Sequence, residues 1–229
     1  MELIDSFQME HYQRHNQRRQ EHLASLGLPI SEQTVLEVGA GIGDHTSFFL
    51  DRHCSITCTD GRPELVANIK KRHPSVEALV WDMESAPPVQ LHPHQIVYCY
   101  GLLYHVKNPD FVLEHLATLT TELLLLETCV SFGNGLTINL VDENSEFPTQ
   151  ALSGKGCRPT RPWVFAKLKS LFQHVYVTTT QPWHEEFPVN WDATSNPDAS
   201  LSRSVFVASR NALDMNTLTD QLLMSQDRC

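Results

Sequence analysis

The amino-acid sequence predicts an α/β fold: a Rossmann-like, doubly wound sheet of seven strands that ends in an antiparallel hairpin and lies between two layers of helices. Three observations predict it. Strand-like and helix-like segments alternate through the first two thirds of the chain, which is typical of a parallel sheet covered on both faces. A glycine-rich turn follows the first strand-like segment, at residues 39–43. Finally, 229 residues with 41% hydrophobic content are enough for one sizeable core, and no change in composition marks a second.

The predicted elements follow one another in a regular order. A leading amphipathic helix covers residues 5–26, and its C-terminal leucines can dock on the core. The unbroken apolar run 123–126 is typical of a central parallel strand buried on both faces. Strands are predicted at residues 34–38, 55–60, 76–81, 95–100, 123–130, 174–180 and 203–209. Helices are predicted at residues 45–51, 63–72, 110–119 and 161–172.

These elements divide the chain into three parts. Residues 1–33 are predicted to form an N-terminal helical cap, residues 34–210 the α/β domain, and residues 211–229 a C-terminal helix or tail. Within the domain, residues 131–160 form an insertion that is long for a connection in a compact fold. Such long loops are usually lids or binding loops, so we expect the insertion to face a substrate.

The charge of the chain argues against a nucleic-acid partner. The formal net charge is −10, whereas phosphate binding needs clustered lysines and arginines. One basic cluster, at residues 14–19, lies on the leading helix and is interpreted as an exposed face. We therefore expect a small-molecule substrate and a monomer or homodimer.

Cysteine usage and hydropathy indicate a cytoplasmic protein without a metal centre. The six cysteines form no pair with metal-ligand spacing and are interpreted as small core residues. The N-terminus is polar, and no segment approaches the roughly 20 apolar residues that span a bilayer. The sequence therefore predicts no membrane partner.

The glycine turn carries the strongest functional signal. Dinucleotide-binding proteins need a G-x-G-x-x-G pattern, because the pyrophosphate sits on a bare helix N-terminus. Here the glycines fall at Gly39, Gly41 and Gly43, and the next residue is Asp44. A carboxylate there would repel a pyrophosphate, but it suits a helix N-cap and is compatible with a positively charged sulfonium.

This turn resembles the first motif of the class I S-adenosylmethionine-dependent methyltransferases, which reads E-x-G-x-G-x-G after a buried strand. Glu37, Gly39, Gly41 and Gly43 match that motif. The resemblance covers residues 34–210 and is closest in the first half of the chain. It implies that the cofactor is S-adenosyl-L-methionine and that the product is S-adenosyl-L-homocysteine.

The resemblance also implies which residues hold the cofactor, because ligands bind beyond the carboxyl ends of the strands in such sheets. The methionine moiety lies at Glu37 and the glycine turn, the ribose at Asp60 and Gly61, and the adenine at Asp82 and Met83. Tyr100 and Gly101 line the transferable methyl group. The full set of implied cofactor residues is Glu37, Gly39, Ala40, Gly41, Gly43, Asp60, Gly61, Asp82, Met83, Tyr100 and Gly101. Two structural alternatives stay open, a turn role for Asp60 and a helix N-cap for Asp82.

His105 is the candidate catalytic base. It follows the fourth predicted strand, in the segment where the family lines the methyl group. An imidazole titrates near neutrality and can take the proton of a hydroxyl or amine as the methyl moves. The alternative is a structural histidine beside an apolar run.

The acceptor side is less clearly marked. A loose similarity to wobble-uridine tRNA carboxymethyl transferases and to many small-molecule methyltransferases lies in residues 101–109 and in the order of elements from 123 to 163. This acidic chain departs from the tRNA enzymes, because it lacks their basic surface. The candidate substrate residues are Tyr104, Glu127, Arg158, Arg161, Trp163 and His184.

Two of these assignments have alternatives. Arg158 and Arg161 lie at the start of a predicted helix, where an acceptor anion is favoured, or else they are surface arginines. His184 beside Glu185 and Glu186 has the residue types for proton transfer or for a divalent ion, but one histidine is a weak metal signal, and a solvated loop is the alternative.

The sequence therefore predicts an enzyme that transfers a methyl group from S-adenosylmethionine to an oxygen of a small polar metabolite or natural product. Two alternatives stay open. One is an N- or C-methyltransferase, or a tRNA-modifying enzyme, with the same fold. The other is a catalytically silent methyltransferase-like binding or regulatory subunit.

Overall fold

The structure is a computed structural model that describes residues 4–229. The helices α1 to α6 are Asp5–Gln8, Glu10–Ser25, Thr46–Leu50, Pro63–Arg72, Pro109–Leu119 and Arg161–Leu171, with a 3-10 helix at Leu103–His105. The strands β1 to β6 are Thr34–Val38, Ser55–Asp60, Glu77–Val80, His94–Tyr100, Thr120–Cys129 and Leu140–Asp142. The strands β7 to β12 are Lys155–Cys157, His174–Thr178, Thr180–Gln181, Arg203–Ser209, Leu218–Thr219 and Asp227–Arg228.

The central sheet has eight strands in the order β11-β8-β10-β5-β4-β1-β2-β3. The five strands from β3 to β5 are parallel, and β10 lies antiparallel between β5 and β8. The predicted Rossmann-like fold with an antiparallel C-terminal part is confirmed. The expected count of seven strands is wrong, because Leu218–Thr219 adds β11 antiparallel to β8 at the sheet edge.

Two apolar clusters, one on each face of the sheet, form the core. Helices α5 and α6 pack on one face, and α3, α4 and the end of α2 pack on the other. Side chains of β5 alternate between them: Leu124 and Leu126 join the first cluster, and Leu123 and Leu125 join the second. This explains why the run 123–126 is apolar at every position.

The leading segment forms two helices rather than the predicted one. The chain turns at Met9, whose φ of −63° and ψ of 140° are extended, so α1 ends before α2 begins. Leu23 and Leu26 at the C-terminal end of α2 are buried in the second cluster, as expected. The break lets α1 lie over the glycine turn, because Phe7 contacts that turn.

Residues 211–229 contain no helix; the short strands β11 and β12 lie there. The insertion is organised by an antiparallel pair, β6 with β7, and its two ends meet where Ser131 pairs with Thr160. The cysteines are free, and five of the six are buried, the exception being Cys229. Among residues 4–229, no helix is both long and apolar enough to cross a membrane.

Phe206 on β10 tests the first apolar cluster. It is completely buried, so the substitution Phe206→Ala leaves a cavity between β10 and the helices that cover it. We expect the free energy of unfolding, measured by urea denaturation, to fall by about 3–5 kcal/mol. The control Val89→Ala removes a side chain that is 92% exposed and should change it by less than about 0.5 kcal/mol. Equal effects of the two substitutions would contradict the packing described.

Candidate functional site

A cavity of about 280 Å³ opens at the carboxyl ends of β1 to β4, the edge where open α/β sheets bind ligands. The site residues predicted from sequence that line it are Gly39, Gly41, Asp60, Gly61, Asp82, Met83, Tyr100, Gly101, Tyr104, His105 and Arg158. Those that do not line it are Glu37, Ala40, Gly43, Glu127, Arg161, Trp163 and His184. The rest of the wall comes from α1, α2, α4, β10, the insertion and neighbouring loops.

The turn after β1 requires its glycines. Gly39 and Gly41 have φ angles of +65° and +59°, a region that L side chains rarely adopt. A Cβ on Gly39 would lie 2.9 Å from Cβ of Leu102, and one on Gly41 would lie 2.9 Å from Cε1 of Phe7. Glycine is therefore required at both positions, because Leu102 and Phe7 already fill the space of a side chain, while the backbone of the turn lines the cavity.

Glu37 supports the turn from behind. Its carboxylate is buried and accepts a hydrogen bond of 2.7 Å from Oγ1 of Thr46, the first residue of α3. Burial raises the pKa of Glu37 to about 7. Ala40 packs against the second apolar cluster, and Gly43 lies against the ring of His73. These three residues hold the turn in place rather than facing the cavity.

Asp44 does not cap a helix as expected. The N-cap residue of α3 is His45, and it makes no side-chain capping bond. Asp44 instead pairs with Arg72 at 2.7 Å, which ties the glycine turn to the end of α4. The N-cap expectation is therefore wrong, because an ion pair across the fold takes up this carboxylate.

Asp60 ends β2 at the cavity wall. Its Oδ2 accepts a hydrogen bond of 3.0 Å from the amide of Gly41, and its Oδ1 accepts one of 2.9 Å from the amide of Arg62. Burial raises the pKa of Asp60 to about 6, although both amides oppose this shift. Asp60 thus shapes the turn and also faces the cavity.

Asp82 and Met83 follow β3. Asp82 is exposed at the cavity mouth and accepts a hydrogen bond of 3.0 Å from the amide of Glu84, whereas Met83 is buried. No helix starts at Asp82, so the N-cap alternative for it is wrong. A carboxylate and a thioether therefore stand side by side at one end of the cavity.

Tyr100 and Gly101 end β4 beneath helix α2. Gly101 has a φ of +79°, and a Cβ there would lie 3.0 Å from Nη2 of Arg19. The hydroxyl of Tyr100 is buried without a hydrogen-bond partner among the described residues, and so is Nε of Arg19. Two polar groups with unused donors therefore line this part of the cavity.

Glu127 lies behind the cavity and holds two arginines that line it. The side chain is completely buried, with Oε2 lying 2.5 Å from Nη2 of Arg19 and Oε1 lying 3.1 Å from Nη1 of Arg203. Arg203 also donates to the hydroxyl of Tyr104 at 3.1 Å and to the carboxylate of Glu186 at 2.5 Å. Glu127 therefore joins α2, β5 and β10 at the site.

His105 is the last residue of the 3-10 helix after β4. Its Nδ1 lies 2.5 Å from Oε2 of Glu143, and its ring packs on that of Tyr104 with centroids 4.0 Å apart. Burial lowers the pKa of His105, and the carboxylate of Glu143 partly opposes this. The ring is therefore neutral near pH 7, as a general base must be.

Arg158 and Arg161 have different surroundings. Arg158 lines the cavity and pairs with Glu143 at 3.3 Å. Arg161 is buried, donates to the carbonyl of Leu223 at 3.0 Å and stacks on Trp191, and burial lowers its pKa to about 9. The surface alternative for Arg161 is therefore wrong. Trp163 packs against the first apolar cluster.

His184 is buried, so the solvated-loop alternative for it is wrong. Its possible ligand atoms lie within 4.8 Å of those of His15 and Glu186. However, Nδ1 of His184 accepts a hydrogen bond of 3.3 Å from the amide of Glu186, so the neutral ring carries its proton on Nε2. The carboxylate of Glu186 is already paired with Arg203. Both contacts oppose a cation at this cluster.

Sequence reasoning missed several charged residues of the site, among them Arg19, Arg203 and Glu143. The sequence predicts an exposed basic face that includes Arg19, yet Arg19 is only 4% exposed. Arg203 begins the strand predicted at residues 203–209, and a charge at the start of a strand is a signal that could have identified it. Glu143 lies in an irregular insertion, where no spacing rule applies. Arg203 and Glu143 come from segments far in sequence from the glycine turn, and Arg19 lies on the helix that precedes it.

Comparison with known proteins agrees with this geometry. A family model described as a methyltransferase domain matches residues 35–122. Matched segments of the tRNA U34 carboxymethyltransferases of Shewanella denitrificans and Shewanella sp. W3-18-1 are 31% identical to this chain. Each match covers 56% of this chain but only 39% and 38% of those proteins, so the chain spans well under half their length.

Solved structures share the fold over most of the chain. The N-terminal domain of EvdMO1 with SAH bound has a TM-score of 0.65 and 23% identity, covering 88% of this chain and 84% of that one. The 1,6-didemethyltoxoflavin-N1-methyltransferase of Burkholderia thailandensis has a TM-score of 0.56 and 18% identity, covering 89% and 80%. These structures show the fold, and the match of residues 35–122 to a methyltransferase domain confirms the resemblance to class I methyltransferases that the glycine turn carries.

The substitution Glu127→Gln tests the buried ion pairs. It leaves the guanidinium groups of Arg19 and Arg203 buried without their shared counter-charge. We expect the free energy of unfolding, measured in urea, to fall by about 3–5 kcal/mol. Glu21→Gln, which removes an exposed pair with Arg18, is the control and should cost less than about 1 kcal/mol. Unchanged stability in Glu127→Gln would contradict the role given to this carboxylate.

Proposed function

We propose that this chain, which has the class I methyltransferase fold, binds S-adenosylmethionine in the cavity and transfers its methyl group to an oxygen of a small polar acceptor. One observation carries the proposal. Residues that follow β1, β2, β3 and β4 line a single cavity, so that one ligand with methionine, ribose and adenine parts can contact all four strand ends. The sequence matched to the methyltransferase family, residues 35–122, contains all four strand ends.

The residues present fit this cofactor. The turn at Gly39 and Gly41 admits a ligand close to the backbone. Each carboxylate oxygen of Asp60 accepts one amide, and an ionised carboxylate has about four acceptor sites, so capacity remains for ribose hydroxyls. Met83 offers an apolar surface for a ring, with Asp82 beside it to accept from an amino group.

Arg19 is a further residue that we assign to the cofactor. Its guanidinium covers Gly101, and its Nε has no partner among residues 4–229. Because Nη2 is held by Glu127, the unused N–H is fixed in direction at the cavity wall. We infer that it binds a carboxylate of the ligand, since an unpaired buried donor is otherwise costly.

Little covalent machinery is needed for the reaction. The cofactor supplies a methyl group on a positively charged sulfur, and attack by the acceptor in line with the departing sulfur disperses that charge. The protein must align the two groups, exclude water and remove the acceptor's proton. His105 lines the cavity with a lowered pKa, so it is unprotonated at neutral pH and can take that proton.

A small acceptor agrees with the charge of the site's surroundings. Every arginine of the basic cluster on α2 is already paired: Arg14 with Glu185, Arg18 with Glu21 and Arg19 with Glu127. Residues 148–152 of the insertion also cover part of the cavity. The N-terminal domain of EvdMO1, which shares this fold, was crystallised in the presence of SAH and D-fucose, a small polar molecule.

A tRNA-modifying enzyme is the second candidate, favoured by the 31% identity to tRNA U34 carboxymethyltransferases. The net charge of −10 and the paired arginines of α2 oppose it. Electrophoretic mobility shift with bulk tRNA at 50 mM and 200 mM salt separates the two candidates, and we expect no shift at either. Salt-dependent binding, with SAH formed when tRNA is added, would favour this second function.

The Asp60→Ala substitution tests the cofactor site, with SAH as the ligand in calorimetric titration. We expect micromolar binding by the native chain and loss of at least tenfold in affinity in the variant, because the ribose hydroxyls lose their acceptors. Asp198→Ala, an exposed loop residue, is the control and should bind as the native chain does. Absence of SAH binding by the native chain would favour the silent-subunit alternative.

The raised pKa of Asp60 predicts a pH dependence of that binding. Protonation removes acceptor capacity, so affinity should be full above the pKa of about 6 and fall as the pH drops through it. At pH 5 we expect SAH to bind about tenfold more weakly than at pH 8. In Asp60→Asn this step in affinity should disappear; a step that persists there would assign it to another group.

His105→Ala tests the base. Acceptors are screened by SAH release, and the product is analysed by tandem mass spectrometry to identify the methylated atom. With an acceptor in hand, we expect turnover to fall by about 10²–10⁴-fold while SAH affinity stays within twofold. His92→Ala, which alters an exposed histidine, should leave both unchanged. If His105→Ala turned over the acceptor at the rate of the native chain, His105 would have no catalytic role.

A further inference from the structure

We propose that Glu143, carried by the insertion, is a positioning residue that holds His105 as the tautomer with its proton on Nδ1, so that Nε2 faces the cavity as the base. The inference deepens the proposed function and rests on it. It also assigns a role to the insertion: the segment that covers the cavity brings in the carboxylate on which the base depends.

The geometry of the pair fixes which nitrogen is free. Nδ1 of His105 lies 2.5 Å from Oε2 of Glu143, and no described residue hydrogen-bonds Nε2 of that ring. The side chain of Glu143 is 3% exposed and that of His105 is 13% exposed, with the ring lining the cavity. A carboxylate accepts a proton donor at Nδ1, so the neutral ring must be unprotonated at Nε2.

The carboxylate of Glu143 is itself held on several sides. Oε2 also accepts a hydrogen bond of 2.8 Å from the amide of Ala151, and Oε1 lies 3.3 Å from both terminal nitrogens of Arg158. A Cβ on Gly156 would lie 2.5 Å from Oε1 and equally close to the carbonyl oxygen of Tyr104. Glycine at 156 therefore leaves the space that the carboxylate occupies.

The charges around the pair favour a carboxylate beside a neutral imidazole. Burial tends to raise the pKa of Glu143, but His105, the Ala151 amide and Arg158 together bring it below its ordinary value. Burial lowers the pKa of His105, as do the positive charges of Arg203 and Arg158, while Glu143 opposes them. Glu143 is thus ionised at neutral pH and ready to stabilise an imidazolium.

The pair of His105 and Glu143 takes up the proton that the acceptor loses. As the acceptor oxygen bonds to the methyl carbon, the bond from that carbon to sulfur breaks, and its electron pair leaves with the neutral thioether of SAH. The acceptor proton moves to Nε2 of His105, which becomes an imidazolium next to the carboxylate of Glu143. A partner of this kind keeps the ring oriented and raises its basicity.

The insertion connects the pair to the cofactor side of the cavity. Arg62, whose amide is bound by Asp60, donates from Nη2 to the carbonyl oxygens of Ser145 and Phe147 at 2.8 and 2.9 Å. The following residues 148–152 line the cavity, and Ala151 among them binds Glu143. The loop that closes the cavity and the carboxylate that orients His105 are therefore held by one set of contacts.

Nitrogen NMR of histidine-labelled protein tests the proposal without an acceptor. Signals of His105 are assigned by their loss in His105→Ala, and the ring's tautomer and pKa are read from titration of the native chain. We expect the Nδ1–H tautomer at pH 8. In Glu143→Gln we expect the His105 pKa to fall by about one unit, a tenfold change in proton affinity. Glu146→Gln, an exposed carboxylate of the same loop, should change neither quantity.

The outcomes are separable. A native ring protonated on Nε2, or an unchanged His105 pKa in a folded Glu143→Gln, would overturn the proposal. If Glu143→Gln does not fold, two other measurements test the proposal. One is the tautomer of the native His105 ring. The other is the His105 pKa in Glu143→Asp, which keeps a carboxylate and should lower that pKa by less than one unit. SAH titration of the same samples tests the cofactor site independently, so failure to bind SAH would count against the proposed function and not against the pair. With an acceptor known, kcat should fall in Glu143→Gln at unchanged KM.

Discussion

The site depends on one completely buried carboxylate, that of Glu127, which pairs with Arg19 and Arg203. The three residues come from β5, α2 and β10, so the pairs join the leading helix to the antiparallel part of the sheet. A buried charge is tolerated only when its partners satisfy it, and breaking such a pair costs several times more than breaking one on the surface. The position of α2 over Gly101 follows from this requirement.

Around that centre the cavity combines a rigid half and a covering half. The rigid half is the set of strand ends, where backbone geometry at Gly39, Gly41 and Gly101 is fixed by positive φ angles and by close neighbours. The covering half consists of α1, α2 and the insertion, held by side-chain contacts such as those of Arg62 with residues 145–150. This division suits a reaction that needs alignment and exclusion of water more than covalent chemistry.

Most of the fold was predictable because it follows from local patterns. The five parallel strands were expected within two or three residues of where they lie, since apolar runs such as 123–126 meet a helical layer on both faces. Short elements were not predictable. The two-residue strand β11 forms because the tail passes beside the open edge of β8, and nothing in residues 218–219 alone favours a strand over the expected helix or tail.

The sequence by itself determined the sheet, the glycine turn and the residues that follow the strands, because side-chain periodicity and backbone conformation are local properties. It also placed Asp60 at the end of a strand and His105 in the segment that follows one, where the cavity lies. Only the tertiary structure decided that Arg161 is buried against Trp191, that the His184 ring packs against His15, and that Glu143 meets His105. Those contacts join segments 30 or more residues apart. The partner of a buried side chain depends on which segments the fold brings together, and the spacing of residues within one segment contains no information about that.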